Sequence, residues 1–156
     1  MKADYINPFI EAAFYVLKEI LADEGIKRGA LELRTNPYVS RGVATLVGLN
    51  GQLRGHVIYD MSKKTAIRIA GVMNGEEFAG LDNIVRSTIS ELTNMITGNA
   101  ATKLVDAGYV CNITPPTFLV GDPAEIYAYK EINHLLVPFT TSCGMLNVSV
   151  ALAPNV

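Results

Sequence analysis

Apolar residues recur at helical spacing between residues 8 and 24, where Phe9, Ala12, Ala13, Val16, Leu17, Ile20 and Leu21 gather on one side. Asn7 stands where an N-cap is needed, and Pro8 suits the first helical position, where a missing N–H costs no intrahelical bond. The pattern predicts a first long helix that ends near Gly25. From Lys27 onward it changes to short β-type runs, "RGALELRT" and then "GVATLVGLNGQLRGHVIYDM", with Asn50-Gly51 marking a hairpin between two β-rich arms. "SKKTAIRIAGVMNG" predicts a shorter second helix, capped by Ser62 and closed at Asn74-Gly75. A third and longer helix is predicted from about Asp82 to Ala107. Beyond it lie "YVCNITPPTFLVG", interrupted by Pro115-Pro116, then "AEIYAYKEI", "HLLVPFTTS" and "GMLNVSVALA", all β-type. The last two fit an edge strand that pairs with another chain and a central strand equally well. Helices and strands interleave without strict βαβ alternation, so the expected fold class is α+β, with long helices packed on a largely antiparallel sheet.

The third helix carries more than amphipathicity requires. At about 100° per residue, Val85, Ile89, Leu92 and Ile96 form one face, which must be the core side. Ser87, Glu91, Asn94 and Gly98, at i, i+4, i+7 and i+11, form a stripe on the opposite side. Any surface helix has a polar face, but Gly98 costs about 1 kcal/mol relative to alanine inside an exposed helix, and Asn94 is a mediocre helix former. Both choices fit close approach by another molecule. Chemically the stripe is half a site. A carboxamide takes no proton at neutral pH, and one carboxylate without a second acid or a metal cluster makes no hydrolase alone. With a partner supplying a phosphoryl group and its metal ion, Asn94 could hold a water in line with phosphorus while Glu91 gripped a partner lysine.

Composition narrows the alternatives. At 156 residues, 49% of them apolar, the chain can bury one substantial core, and residues 1–156 are expected to form a single domain. Thirteen basic and 15 acidic residues give a net charge of −2, and no Lys/Arg run exceeds Lys63-Lys64, so no nucleic-acid partner is expected. The N-terminal stretch has Asp4, Asn7, Pro8 and Glu11 where a signal peptide needs an apolar core, and no apolar run is long enough to cross a bilayer. A soluble, cytoplasmic protein with no membrane association is the expectation. Cys111 and Cys143 lack metal-ligand spacing and are expected as reduced, buried thiols, while His56 and His134, far apart in strand-like segments, are expected to be structural or exposed.

The phrase "SELTNMITGNA", with Ser87 before it and Pro115-Pro116 after it, resembles the motif helix of the CheC/CheX/FliY family of chemotaxis phosphatases. The order of elements along the chain is also similar to that family's. The resemblance implies a CheC-like fold and hydrolysis of the aspartyl-phosphate on a CheY-type response regulator. By the same resemblance Asn94 and Glu91 would be catalytic, Asn94 orienting the attacking water and Glu91 pairing with the regulator's lysine. Ser87 and Gly98 would contact the partner, and Mg²⁺ would belong to the regulator, with no cofactor or metal on this chain. CheC-like members look like two copies of the motif helix and CheX-like members like one. Here "VLKEILADEG" on the first helix aligns Glu19 with Glu91 but sets Ala22 opposite Asn94, which points to the CheX type. A homodimer joined through edge or terminal strands is implied as well. The competing readings are a non-catalytic scaffold or switch module that binds a regulator or flagellar protein through the same face, and a small-molecule sensor whose polar helix is merely solvated.

Overall fold

The structure is a computed structural model that describes residues 2–35, 37–127 and 131–155. Its elements run α1 (Ala3–Leu21), β1 (Lys27–Arg28), β2 (Glu32–Arg34), β3 (Tyr38–Gly51), β4 (Leu53–Met61), α2 (Lys63–Asn74), α3 (Asn83–Asp106), β5 (Cys111–Ile113), β6 (Thr117–Ile126), β7 (His134–Thr141) and β8 (Gly144–Pro154). The strands join in one sheet of order β1-β7-β8-β4-β3-β5, with β2 also paired to β7 and β6 also paired to β3. All these pairings are antiparallel. The α+β expectation therefore holds.

Alternation along β4 divides the sheet's two faces. Leu53, Val57, Tyr59 and Met61 join the main core with α1, α2 and α3. Ile58 points the other way and packs with Tyr38, Ala44, Ile126 and Leu136 in a smaller cluster. On the helical side α3 lies against α1, with Lys103 reaching Glu11 at 3.6 Å and the rings of Tyr5 and Tyr109 meeting edge-on at 5.2 Å. The start of α1 therefore lies by the end of α3, so the two helices run antiparallel.

The caps of α2 fall where the sequence places them, and α3 starts where expected, with Asp82 as its N-cap. Ser62 accepts the Thr65 N–H, Asp82 accepts the Val85 N–H, and Gly75 closes α2 in the left-handed region. The first helix differs. It begins at Ala3 rather than Pro8, leaves Pro8 inside, and ends at Leu21 with Ala22 left-handed at φ 48°. Pro8 forfeits one intrahelical bond. Burial of Tyr5 and Ile6 outweighs that loss, at about 1.5–3 kcal/mol for a large apolar side chain.

Three strand expectations are refined. The β3–β4 hairpin forms, but its registers converge on Gln52. Gly51 remains in β3, paired with Cys111. At φ 146°, a Cβ on Gly51 would stand 2.5 Å from the Val110 carbonyl, so glycine is needed there for close approach of β5 rather than for a two-residue turn. "AEIYAYKEI" is not a separate strand: Ala124–Ile126 finishes β6, residues 128–130 lie outside the described set, and Glu131 and Ile132 lie outside any strand. Finally, β8 lies between β4 and β7, and β7 has β1 and β2 on its outer side, so neither terminal run is a free edge.

Candidate functional site

Helix α3 is held by its opposite face. Val85, Ile89, Leu92, Ile96, Ala100 and Leu104 are all fully buried, which leaves the Ser87 stripe facing outward. Ser87, Glu91 and Asn94 are exposed, and Gly98 is half-buried. The structure thus brings all four singled-out residues onto one open surface. Among the described residues, apart from its own helix turn and chain neighbours, no heavy atom lies within 4 Å of a Cβ placed on Gly98, so no packing contact there calls for glycine.

Beside the stripe, α2 and α3 enclose a groove of about 540 Å³ lined by Met73, Asn74, Asn83, Ile84, Ser87, Thr88 and Glu91. Its wall is tied together by Asn74, whose carboxamide N–H donates to Ala70 O on its own helix and to Thr88 Oγ1 on α3, both at 2.9 Å. Ile84, 49% exposed, adds an apolar patch one turn before Thr88. A larger groove of about 670 Å³ lies between α2 and the β7–β8 turn, lined among others by Arg68, Val72, Phe78 and Cys143. It contains none of the stripe residues, and size alone does not make it the site.

The buried side of α3 has a polar contact that the periodicity did not reveal. Thr93 and Thr97 are fully buried among aliphatic neighbours, and Thr97 Oγ1 lies 2.7 Å from the hydroxyl of Tyr59 on β4. Burial raises the Tyr59 phenol well above its ordinary pKa and keeps it protonated. A threonine pair at i, i+4 inside an otherwise apolar face was the available signal, since buried hydroxyls need partners.

The other predicted residues lie elsewhere. Pro115 and Pro116 sit in the β5–β6 connection, next to Thr114, whose hydroxyl accepts the Gly48 N–H at 2.8 Å. They do not line the groove beside Glu91. Both cysteines are free; Cys143 is buried as expected, but Cys111 is only half-buried. His56 and His134 are indeed in strands but are neither exposed nor apart: they meet on the sheet's second face, Nε2 to Nε2 at 2.7 Å. Burial, followed by the neighbouring His134, pushes the His56 pKa down to about 4, and burial also lowers that of His134. Among the described residues, no three His, Cys, Asp or Glu side chains are grouped to hold a metal ion, and no helix is long and apolar enough to cross a membrane.

What the stripe can do alone is limited. Glu91 and Asn94 can accept and donate hydrogen bonds from a rigid helix, but they contain no nucleophile and no second acid. They suit a site completed by another molecule.

A family model described as chemotaxis phosphatase CheX matches residues 43–140. The curated CheY-P phosphatase CheX of Thermotoga maritima is 31% identical over 136 residues, which covers 86% of this chain and 87% of that one. A solved CheX-CheY-BeF3-Mg²⁺ complex from Borrelia burgdorferi includes a chain that is 35% identical, with a TM-score of 0.84 and coverage of 97% of this chain and 99% of that one. A CheC-like superfamily protein from Shewanella sp. PV-4 has a TM-score of 0.87 at 28% identity, with coverage of 98% and 99%.

Proposed function

The chain belongs to the CheX family of chemotaxis phosphatases, and from that premise we propose that it hydrolyses the aspartyl-phosphate of a CheY-type response regulator. The observation that carries the reading is the outward Glu91/Asn94 pair on a helix whose other face is wholly buried. Its relatives support it: one is a CheY-P phosphatase, and another was solved in complex with CheY.

In this mechanism α3 docks its exposed stripe onto the regulator. Asn94 enters the regulator's acid pocket, and its carboxamide holds a water opposite the aspartyl oxygen. The water oxygen bonds to phosphorus, the bond from phosphorus to the aspartyl oxygen breaks with its electron pair, and inorganic phosphate and a free aspartate result. Glu91 pairs with the regulator's lysine and thereby fixes Asn94 in register. Ser87 and Gly98 contact the partner, the glycine giving clearance. Mg²⁺ stays with the regulator and neutralises charge on the transferring phosphoryl group; the presence of Mg²⁺ and BeF3 in the Borrelia complex supports that division of labour. Most of the acceleration comes from positioning, which can supply about 7–11 kcal/mol of a barrier.

The domain spans 1–156, a reading supported by one core that joins Tyr5 on α1 with Leu152 on β8. It acts in the cytoplasm, as a homodimer joined through a sheet edge. With β7 and β8 both covered, that edge is formed by β1/β2 or by β5/β6. The test is to phosphorylate receiver domains from the same genome and follow phosphate loss with wild-type protein and with Asn94→Ala. Acceleration by the wild type alone supports the reading. Binding without acceleration replaces it with a scaffold that uses the same face.

A further inference from the structure

The aliphatic contacts that hold α3 to the sheet are non-directional, since Val, Ile and Leu side chains resist separation more than rotation. The contact at Thr97 is different in kind. Thr97 Oγ1 donates to the Thr93 carbonyl at 2.7 Å, which uses its single proton. The Tyr59 hydroxyl, 2.7 Å away, is therefore the donor and Thr97 Oγ1 the acceptor. Thr93 Oγ1 makes a separate bond, donating to Ser90 O at 3.1 Å. Both threonine hydroxyls end on carbonyls of α3 itself, behind Glu91 and Asn94, and the bond from Tyr59 alone ties them to β4, the strand between β3 and β8. On the exposed side, Asn74 grips Thr88 just before Glu91. The reactive segment is thus bracketed by two directional ties, one to α2 and one to the sheet.

A buried hydroxyl pair is a costly way to gain packing, because a phenylalanine and a valine would fill the same space with no polar group to satisfy. What a hydrogen bond adds is an angle. Turning a helix by about 10° moves a tip at its outer radius of about 6 Å by roughly 1 Å, and a 1 Å misplacement can cost about a hundredfold in rate.

We propose, on the basis of the phosphatase reading, that Tyr59 is a positioning residue for the reaction: its hydroxyl, bonded to Thr97, sets the rotation of α3 and so the placement of Asn94 against the regulator's phosphoryl group. Tyr59 is fully buried and acts only through the helix.

The experiment measures kcat and KM for dephosphorylation of the regulator that the wild type accelerates, using Tyr59→Phe, Thr97→Ser, Thr97→Val and Asn94→Ala, with the thermal midpoint of each. Tyr59→Phe is expected to stay folded and to lose about three- to tenfold in kcat, with KM within about twofold. Thr97→Ser, which keeps the acceptor, should retain the wild-type kcat, and Thr97→Val should fall with Tyr59→Phe. A folded Tyr59→Phe protein with wild-type kcat overturns the proposal, as does a Thr97→Ser protein as impaired as Thr97→Val. If Tyr59→Phe does not fold, the two Thr97 variants decide alone. Full activity in Asn94→Ala would instead sink the phosphatase mechanism itself, whereas an inactive Asn94→Ala beside an unimpaired Tyr59→Phe sinks only the positioning role.

Discussion

Helices α1 and α3 lie side by side on the same face of the sheet, yet the Glu/Asn pair proposed to act on the regulator belongs to α3. The buried face of α1 is almost wholly apolar, from Tyr5 and Ile6 to Leu17 and Leu21, and that of α3 includes Thr93 and Thr97. Glu19 on α1 aligns with Glu91 on α3, but the place equivalent to Asn94 falls on Ala22, where α1 has already ended in a left-handed cap. Asn94 lies well inside its helix, which continues to Asp106. A carboxamide at residue 22 would stand on a helix cap, without the continuing turns that flank Asn94 on α3. The comparison teaches that α1 is built for packing, whereas α3 combines a packed face with the exposed stripe on which the proposed function rests.

Substitutions should separate those roles, and the largest expected effect is on packing. Phe9→Ala on α1 removes a fully buried ring and should cost about 3–5 kcal/mol in denaturant unfolding, while the folded fraction keeps its kcat. A comparable loss of kcat in the folded protein would break the division between the helices.

Acid should act on both helices together, through the opposite face of the sheet. The His56 pKa is about 4 in the folded chain against 6.5 unperturbed, and that of His134 is also lowered, so the unfolded chain binds more protons between those values. Stability should therefore be flat above about pH 6.5 and fall as pH drops toward about 4, by on the order of 3 kcal/mol. Unfolding followed against pH checks this, and His56→Gln should flatten the slope. Separate acid transitions for α1 and α3 would show that the helices do not share one core.

On the contact side, Asn94→Ala should lower the acceleration of regulator dephosphorylation by about a hundredfold or more. Its unfolding midpoint should hold or rise slightly, because alanine is the better helix former by up to about 0.7 kcal/mol. That outcome reverses Phe9→Ala: activity is lost and stability kept. The smallest effect is expected at the end of α1, where Ala22→Gly relieves the left-handed strain and should stabilise by about 1 kcal/mol with no change in activity. Ala22→Asn should likewise create no second active site, and a gain of phosphatase activity in an Ala22→Asn, Asn94→Ala double variant would overturn the account of why α1 is silent.

The placement of the candidate site was legible in the chain. Ser87, Glu91, Asn94 and Gly98 share a face because helical period alone puts them there, and the boundaries of α2 followed from Ser62 and Gly75. The groove at Met73, Asn74 and Ile84 was not legible, because it depends on how α2 crosses α3. Nor was the start of α1, where burial of Tyr5 against Tyr109 carries the helix back beyond the start that Asn7 and Pro8 signal.

The sequence by itself determined what depends on neighbours a few residues apart: the spans of α2 and α3, the β3–β4 hairpin, and the stripe that carries Glu91 and Asn94. Only the tertiary structure decided which strands became central, that His56 would meet His134, and that Tyr59 would donate to Thr97. Those contacts join residues 78 and 38 positions apart. Local pattern reports the cost of arranging a few adjacent dihedrals, whereas distant pairings are chosen by burial and hydrogen-bond satisfaction over the whole chain, and no short window contains that information.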